Sequence, residues 1–388
     1  MKSKQVQEFK KTKIGDVCPF VYGKGLPERE RNIGKIPVYG SNGIIGWHDK
    51  SFLNGPSIII GRKGSIGKIH YSENPCWPID TTFYIVENEN FHLKFIFYLL
   101  KFLNLENMDS DTSVPGLNRN AAHELEINIP EKKVQIRTST VLENLDTKIS
   151  NLQNQNHTLE QMVQAIFKSW FVDFDGIAEF EDSDLGQIPK GWKAVKLGEH
   201  TKIKGRIGWK GLTQSEYSDK GYHLVTGKQL TNGTIDWDNC PRVSEERYFE
   251  SPEIMLKEND ILMSKDGTIG RLSFIFKLNQ PSSVGTGIFV IRPNSELIDH
   301  YFLLSFFKSD IFKSIVYSRI EGSVIPHLYQ RDINDFDFPL PPKPLLIKFS
   351  KISKHITNLQ YQNIFQIQNL RKIRDILLPK LMSGKIRV

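Results

Sequence analysis

Cysteine is scarce in this sequence. The chain of 388 residues has only three, Cys18, Cys76 and Cys240, which lie far apart and form no Cys-x-x-Cys pair. An odd number of widely spaced cysteines argues against a disulfide framework and against a structural zinc site. They fit a reducing compartment, and we expect the cytoplasm, because the charged N-terminal segment has no apolar run behind it and so does not resemble a signal peptide.

Long apolar runs are also missing. The best candidate, residues 91–105, is interrupted by Lys94 and Lys101, whereas a membrane-spanning helix needs about 20 mostly apolar residues. We therefore expect no membrane association. With 39% hydrophobic and 24% charged residues, the composition is typical of a folded protein, and the length suggests two or three domains.

Catalytic motifs are missing as well. No Gly-x-Gly-x-x-Gly follows a predicted strand, no Asp/Asn-Pro-Pro-Tyr/Phe string for amino-group methylation is present, and the histidines have no metal-binding spacing. The string GRKGSIGK at residues 61–68 is one residue too long for a phosphate-binding loop and is followed by Ile69 instead of Ser or Thr. A tight turn explains it better. The sequence thus predicts a protein that is not an enzyme and has no metal or cofactor of its own.

What the sequence does have is an internal repeat. SIIIGRKGSIGKIHY at residues 57–71 reappears as DILMSKDGTIGRLSF at residues 260–274. Short β-branched and aromatic runs, separated by Gly, Asn-Gly and Pro, predict strands and turns with a short helix inserted, so each copy should contain an α+β globular unit. Three further pairs of strings follow in the same order: LKFIFYLLK (93–101) with HYFLLSFFK (300–308), SVPGLN (113–118) with VIPHLY (324–329), and INIPEK (127–132) with FPLPPK (338–343).

A long helix with a heptad pattern is predicted behind each globular unit. Apolar residues at alternating spacings of three and four form a narrow seam in each copy. A coiled coil between the two copies is our main interpretation, and an amphipathic helix packed on its own domain is the alternative. The two seams are Leu142, Leu145, Ile149, Leu152, Asn156, Leu159, Val163, Ile166 and Trp170, and Phe349, Ile352, Ile356, Leu359, Asn363, Gln366, Leu370, Ile373 and Leu377.

Each seam has an amide at its centre, Asn156 in the first and Asn363 in the second. If the helices pair antiparallel, these amides face each other and set the register, because a slip would leave each amide against hydrocarbon. The expected fold class is α+β, with two globular domains, each followed by a long helix, and the helices paired as an antiparallel coiled coil with pseudo-two-fold symmetry. The predicted boundaries are 1–130 and 176–341 for the globular domains, the latter with a leading linker, and 131–175 and 342–388 for the helices.

Two unlike domains held apart by paired helices suit an asymmetric, interrupted DNA site. A helix of about 35–40 residues is about 50–60 Å long. Heads held about 40–50 Å apart by such helices would contact half-sites whose centres lie about 12–15 base pairs apart, at about 3.4 Å per base pair. Charge is weaker support: the net charge is +7, and residues 342–388 carry ten basic residues against one acidic residue. That basic segment either follows phosphates or balances the acidic stretch at residues 173–184.

Several strings resemble the specificity subunits of type I restriction-modification systems. The resemblance extends over essentially the whole chain. It implies that each globular domain is a target recognition domain, which reads one half of a split site on double-stranded DNA, and that the chain itself is not catalytic. The strings are IPVYGSNGIIGW (36–47), IIIGRKGSIGK (58–68), AIFKSWFVDF (165–174), IPKGWKAVKLGE (188–199) and LVTGKQLTNGTID (224–236).

The resemblance also implies partners. It implies assembly with two methyltransferase subunits, which bind S-adenosylmethionine, and with a restriction subunit that uses ATP and magnesium. From the residues alone two alternatives stay open. One is a non-catalytic coiled-coil scaffold or adaptor that binds protein partners. The other is the recognition part of a fused restriction enzyme, against which the lack of a methyltransferase motif argues.

Candidate DNA contacts are polar residues in glycine-rich loops, because Arg, Lys, Asn and Gln read base edges while Lys, Arg and Ser hold phosphates. The aromatic end of the first long helix, Phe167, Trp170, Phe171 and Phe174, is expected to pack against a neighbouring domain. In the first domain the candidates are Tyr39, Ser41, Asn42, Arg62, Lys63, Asn118 and Arg119. In the second domain they are Arg206, Lys210, Lys228, Gln229, Asn232, Lys265, His327, Tyr329 and Arg331.

Overall fold

The computed structural model describes residues 9–108, 116–206, 212–231, 233–320 and 327–388. The chain forms two compact units, of which the first comprises Met1–Leu152 and Phe365–Val388 and the second Gln153–Ile364. Each unit contains a globular part and portions of two long helices; we call the globular parts the first head (residues 9–131) and the second head (residues 172–342). Within the described ranges, no helix is both long and apolar enough to cross a bilayer.

The first head is built from short strands and helices and leads into a long helix. Its strands form a four-stranded sheet in the order β2-β8-β5-β6, a three-stranded sheet in the order β4-β3-β7, and the pair β1-β9. The strands are β1 (Lys10–Lys13), β2 (Val21–Tyr22), β3 (Ile36–Gly40), β4 (Gly43–His48), β5 (Ser57–Gly61), β6 (Ile69–Ser72), β7 (Trp77–Pro78), β8 (Thr82–Val86) and β9 (Glu126–Ile129). The helices are α1 (Ile14–Val17), α2 (Leu93–Leu103), α3 (Arg119–His123) and the long helix α4 (Lys132–Phe171).

The second head repeats this plan and adds two strand pairs, β10-β11 and β15-β16. Its main sheets have the orders β13-β21-β18-β19 and β17-β14-β20, beside the pair β12-β22. The strands are β10 (Phe180–Ser183), β11 (Gly186–Pro189), β12 (Lys193–Lys196), β13 (Thr201–Gly205), β14 (Tyr222–Val225), β15 (Leu230–Thr231), β16 (Thr234–Ile235), β17 (Arg242–Val243), β18 (Ile261–Ser264), β19 (Leu272–Phe274), β20 (Ser282–Val284), β21 (Ile288–Pro293) and β22 (Asp337–Leu340). The helices are α5 (Leu197–His200), α6 (Glu245–Phe249), α7 (His300–Lys308), α8 (Asp310–Ile320), α9 (Gln330–Asn334) and the long helix α10 (Lys343–Met382).

The two heads have the same strand connections. The order β2-β8-β5-β6 corresponds to β13-β21-β18-β19, and β4-β3-β7 corresponds to β17-β14-β20. In both three-stranded sheets one pair is parallel, β3 with β7 and β14 with β20. The repeat in the sequence is therefore a repeat of one fold, and the predicted α+β class with a long helix behind each head is confirmed.

An apolar helix packs against the larger sheet in each head. In the first head, Phe95 and Ile96 of α2 are fully buried in one core with Ile58 of β5. In the second head, Phe302 of α7 shares a core with Ile291 of β21. The period-two pattern of the strands and the helical pattern behind them thus meet in a separate core for each head, which positions the loops at the strand ends.

In the second unit, the C-terminal half of α4 pairs with the N-terminal half of α10 through polar groups and through apolar packing. Asn363 Nδ2 donates to Asn156 Oδ1 at 2.9 Å, and Gln360 Nε2 donates to the backbone oxygen of Asn156 at 3.1 Å. Asn156 Nδ2 in turn donates to the backbone oxygen of Gln360 at 3.2 Å. These bonds satisfy amides that are half-buried between the helices.

The aromatic end of α4 packs within the same unit. Phe349 of α10 is fully buried, and its ring centroid lies 5.0 Å from that of Phe171 and 5.7 Å from that of Phe167. Trp170 lies against the same ring at 6.3 Å, and Phe302 of the second head contacts Phe171 at 5.2 Å. These aromatic side chains belong to the core that joins α4, α10 and the second head.

In the first unit, the N-terminal half of α4 pairs with the C-terminal half of α10. Ile149 and Leu152 form a buried cluster with Ile367 and Leu370. Because the early part of α4 meets the late part of α10 here, while the late part of α4 meets the early part of α10 in the other unit, the helices pair antiparallel. This pairing confirms the predicted coiled-coil arrangement.

Beyond Asn363, the buried face of α10 differs from the predicted seam. The heptad pattern placed Gln366 and Ile373 in the seam, but both are exposed. Their neighbours take these places: Ile367 is buried, and Arg374 Nη1 donates to Asp146 Oδ1 at 2.8 Å. Burying Ile367 in place of the amide of Gln366 removes more apolar surface from water. The half-buried guanidinium of Arg374, which takes the place of Ile373, is paired with the carboxylate of Asp146.

We predict that Asn363→Leu destabilises the protein, because it leaves the half-buried amide of Asn156 beside an apolar side chain. The expected loss is about 1–2 kcal/mol, which corresponds to a decrease in Tm of about 2–8 °C, measured by circular dichroism. Replacing both asparagines with leucine should recover part of the loss. Asn358→Leu, on an exposed face of the same helix, is the matched control, and an equal decrease in that variant would contradict the prediction.

Candidate nucleic-acid interface

The string shared by the two copies forms the same turn in each head. We call these turns the β5 turn (residues 62–68) and the β18 turn (residues 265–271). Gly64 and Gly67 have φ angles of +77° and +68°, and their counterparts Gly267 and Gly270 have φ angles of +67° and +79°. Glycine adopts this left-handed region without the steric cost that other residues incur. The spacing of the glycines is therefore a requirement of the turn.

In the first head, the segment before α3 lies against the β5 turn. Leu117 N donates to the backbone oxygen of Arg62 at 2.9 Å. An isolated antiparallel bridge joins the next residue of the turn, Lys63, to Gly116. These backbone contacts place the exposed side chain of Lys63 beside the start of α3.

The loop after β3 completes this surface. Ser41 Oγ donates to the backbone oxygen of Thr81 at 2.7 Å, and Arg62 N donates to the same oxygen at 2.9 Å. Asn42 Oδ1 accepts a hydrogen bond from Lys68 Nζ at 2.6 Å. Three segments that are distant in the sequence thus form one polar surface.

Two arginines of this surface lie on the ring of Tyr22. The guanidinium carbons of Arg119 and Arg62 are 4.9 Å and 5.2 Å from the ring centre. Arg62 also donates from Nε and Nη2 to the backbone oxygen of Asp80, at 3.1 Å and 2.7 Å. Cation–π contact limits the rotation of both arginines, and the two hydrogen bonds to Asp80 limit that of Arg62 further. Sequence reasoning missed Tyr22, because only the pairing of β2 with β8 brings it here.

His70 lies behind the loop after β3. One of its ring nitrogens, Nε2, is 3.3 Å from the backbone oxygen of Ser41. Burial lowers the pKa of His70, against the contact with Ser41, which raises it, and the charge of Lys68 adds to the lowering. Since an unperturbed histidine has a pKa of about 6.5, the ring is neutral at pH 7. The positive charge of this surface therefore comes from its lysines and arginines.

In the second head the same backbone contacts carry different side chains. Leu328 N donates to the backbone oxygen of Lys265 at 3.0 Å, and an isolated bridge joins Asp266 to His327. His327 Nδ1 contacts Asp266 Oδ1, while Lys265 Nζ lies 3.7 Å from Asp266 Oδ2. The ring of Tyr329 is 4.6 Å from that of His327.

Further cationic side chains lie in the neighbouring segments. The guanidinium of Arg331 lies 5.1 Å from the ring centre of Tyr329, and Lys228 is exposed in the loop after β14. Arg271 Nη1 donates to the backbone oxygen of Gly227 in that loop at 3.4 Å. Arg271 was not among the predicted contacts, although the repeat aligns it with a lysine of the β5 turn and so could have indicated it.

Four predicted contact residues lie inside their heads. The exposed fractions are 8% for Tyr39, 8% for Ser41, 8% for Gln229 and 3% for Arg206. Arg206 Nε donates to the backbone oxygen of Val284 at 3.1 Å. A buried side chain whose polar atoms bond within its own head does not offer them to a base edge. We therefore leave these four residues out of the proposed contacts.

The other candidates divide by exposure. Asn118 also caps α3, since its Oδ1 accepts from the backbone N–H of Asn120 at 2.9 Å. Lys210 and Asn232 lie outside the described residues. The exposed candidates are Asn42, Lys63, Asn118, Lys228, Tyr329 and Arg331, and the half-buried ones are Arg62, Arg119, Lys265 and His327.

In the part of the chain that the structure describes, no group of three or more His, Cys, Asp or Glu side chains could hold a metal ion. Burial raises the pKa of Cys18 to about 12 and that of Cys240 to about 12. Their thiols are therefore protonated at neutral pH and are poor nucleophiles.

The family model of the type I restriction modification DNA specificity domain matches residues 7–161 and 189–369 of this chain. The chain belongs to this family. It is a DNA sequence-specificity subunit of a type I restriction-modification system, and subunits of this kind are non-catalytic. The family domain occurs twice, and each occurrence covers most of one head and most of the long helix behind it.

Known proteins similar to this specificity subunit come from several organisms. The MjaIX specificity subunit of Methanocaldococcus jannaschii is 27% identical over 346 residues, covering 86% of this chain and 78% of that protein. The HindI specificity subunit of Haemophilus influenzae is 24% identical over 377 residues, covering 79% and 81%. The crystal structure of the type I S subunit from M. genitalium has a TM-score of 0.64 at 18% identity and covers 98% of both chains. This structural likeness supports the fold.

We predict that Lys63→Ala weakens duplex binding and decreases the slope of log affinity against log salt by about one, because one positive charge that displaces counterions from the duplex is lost. Fluorescence anisotropy at several salt concentrations measures this slope. Lys50→Ala is the matched control. Lys50 is also exposed, but it lies after the end of β4, whereas Asn42 lies in the turn at the other end of the β3–β4 hairpin. An unchanged slope for Lys63→Ala would remove Lys63 from the interface.

Proposed function

We propose that this specificity subunit reads an asymmetric, interrupted site on double-stranded DNA, with one half-site for each head. In this proposal residues 1–130 and 176–341 are the two target recognition domains. The observation that carries it is that the heads share one backbone framework but present different side chains from equivalent positions of it.

Arg62 and Lys265 occupy one of these equivalent positions. The backbone oxygen of Arg62 accepts the N–H of the leucine just before α3, and that of Lys265 accepts the N–H of the leucine just before α9. The following position holds Lys63 in the first head and Asp266 in the second, so the charge is reversed. Lysine donates to the O6 and N7 acceptors of guanine, whereas aspartate accepts from the N4 amine of cytosine. Opposite charges at the same position of the two heads favour recognition of two different half-sites.

The paired helices separate the half-sites in this proposal. The hydrogen bond between Asn156 and Asn363 supports a fixed register, because a slip of either helix would break it and leave both amides without this partner. The register in turn determines the length of DNA between the two half-sites. An adaptor that binds only proteins would have no need of polar, glycine-supported turns at equivalent positions of both heads.

We further propose assembly with two methyltransferase subunits that bind S-adenosylmethionine, and with a restriction subunit that uses ATP and magnesium, in the cytoplasm. Membership of the family supports these partners. In the first unit, α10 also exposes large apolar side chains, with Phe365 55%, Ile373 46% and Ile376 56% accessible. Exposed apolar groups on a helix are typical of surfaces that another protein covers.

The proposal is tested by mapping methylated adenines in a genome that carries this subunit with its methyltransferase partner. We expect one motif made of two dissimilar parts separated by unspecified base pairs. Arg119→Ala should relax the motif in one part only, and Arg331→Ala should relax it in the other part only, because each side chain lies on a different head. A palindromic or uninterrupted motif would contradict the proposal, as would a lack of salt-dependent duplex binding.

A further inference from the structure

Asp266 is an acidic side chain on a surface that also carries several cationic residues. It follows Lys265 in the β18 turn, and its side chain is 43% exposed. Arg271 lies at the end of the same turn and donates to the loop that holds Lys228, and Arg331 lies in α9, just after the segment that is bridged to Asp266. DNA phosphates repel a carboxylate, so such a residue weakens binding to DNA in general. Hydrogen bonds that the carboxylate accepts from base amino groups can offset this loss.

The carboxylate of Asp266 is held in place from both sides. His327 Nδ1 contacts Oδ1, and Lys265 Nζ lies 3.7 Å from Oδ2. A carboxylate has about four acceptor positions on its two oxygens, so these two neighbours leave acceptor capacity free. The backbone is fixed as well, because the bridge between Asp266 and His327 ties the turn to the segment before α9.

We propose that Asp266 determines specificity in the second half-site by accepting a hydrogen bond from an exocyclic amino group in the major groove, that of cytosine or that of adenine. His327 and Lys265 position the carboxylate and reduce its repulsion from the phosphates. The equivalent residue of the first head, Lys63, offers donors only, so the first head lacks this acceptor at the same position. This inference rests on the proposed function of the two heads.

The test measures base preference for the full-length subunit in complex with its methyltransferase subunits. The probe is a set of duplexes in which each base pair of the methylated motif is varied singly, and binding is compared among them. We expect the natural protein to prefer cytosine or adenine at one position of one half-site. Asp266→Ala should reduce that preference by about tenfold or more, while every preference in the other half-site is retained, which also reports that the variant is folded.

Asp266→Asn separates the two bases. An asparagine amide suits the N6 and N7 groups of adenine, so an original preference for cytosine should shift toward adenine, whereas an original preference for adenine should persist. Asp310→Asn is the matched control: it removes one acidic charge from the same head, at a side chain that is 95% exposed. We expect no change of base preference in this control.

The outcomes distinguish this inference from the proposed function. If Asp266→Ala changes affinity for all duplexes by the same factor, Asp266 does not read a base, and the two-head proposal stands. If Asp310→Asn alters the same base preference as Asp266→Ala, the effect is one of net charge, and the inference is overturned. If the natural complex shows no base preference at any position, the inference and the proposed function fail together.

Discussion

The candidate interface depends on backbone hydrogen bonds that are independent of side-chain identity. In each head a leucine N–H donates to a carbonyl of the glycine-supported turn, at 2.9 Å from Leu117 to Arg62 and at 3.0 Å from Leu328 to Lys265. Since the bonds run from main chain to main chain, the side chains at these positions are free to differ without loss of the turn. One framework can therefore carry a lysine in one head and an aspartate in the other.

The long helices combine two kinds of interaction with different consequences. The buried aromatic group around Phe349 in the second unit and the cluster around Ile367 in the first unit remove apolar surface from water, which supplies stability with little directional demand. The bond between Asn156 and Asn363 adds less free energy, but it is satisfied in only one alignment. Stability and register thus come from separate residues.

The sequence predicted the repeat, the strands and the antiparallel helices, because strands and helices leave periodic patterns that a reader can count. It was wrong about the seam beyond Asn363, where Ile367 is buried in place of Gln366. After Asn363 a spacing of three leads to Gln366 and a spacing of four leads to Ile367, and both spacings occur in such a seam. Burial in the loops was harder still. Arg206 is enclosed by contacts with β20, and Tyr22 reaches the surface through the pairing of β2 with β8; neither contact leaves a local signal.

The distribution of charge separates affinity from specificity. Contacts with phosphates are alike for every sequence and account for much of the free energy of binding, so lysines and arginines in both heads suit that role. An acid on the same surface works against this general attraction, and its hydrogen-bond capacity is used only where a base presents a donor. The pair formed by Asp266 and His327 is therefore most consequential for rejecting wrong sequences, because an unfulfilled carboxylate penalises every duplex that lacks the matching amino group.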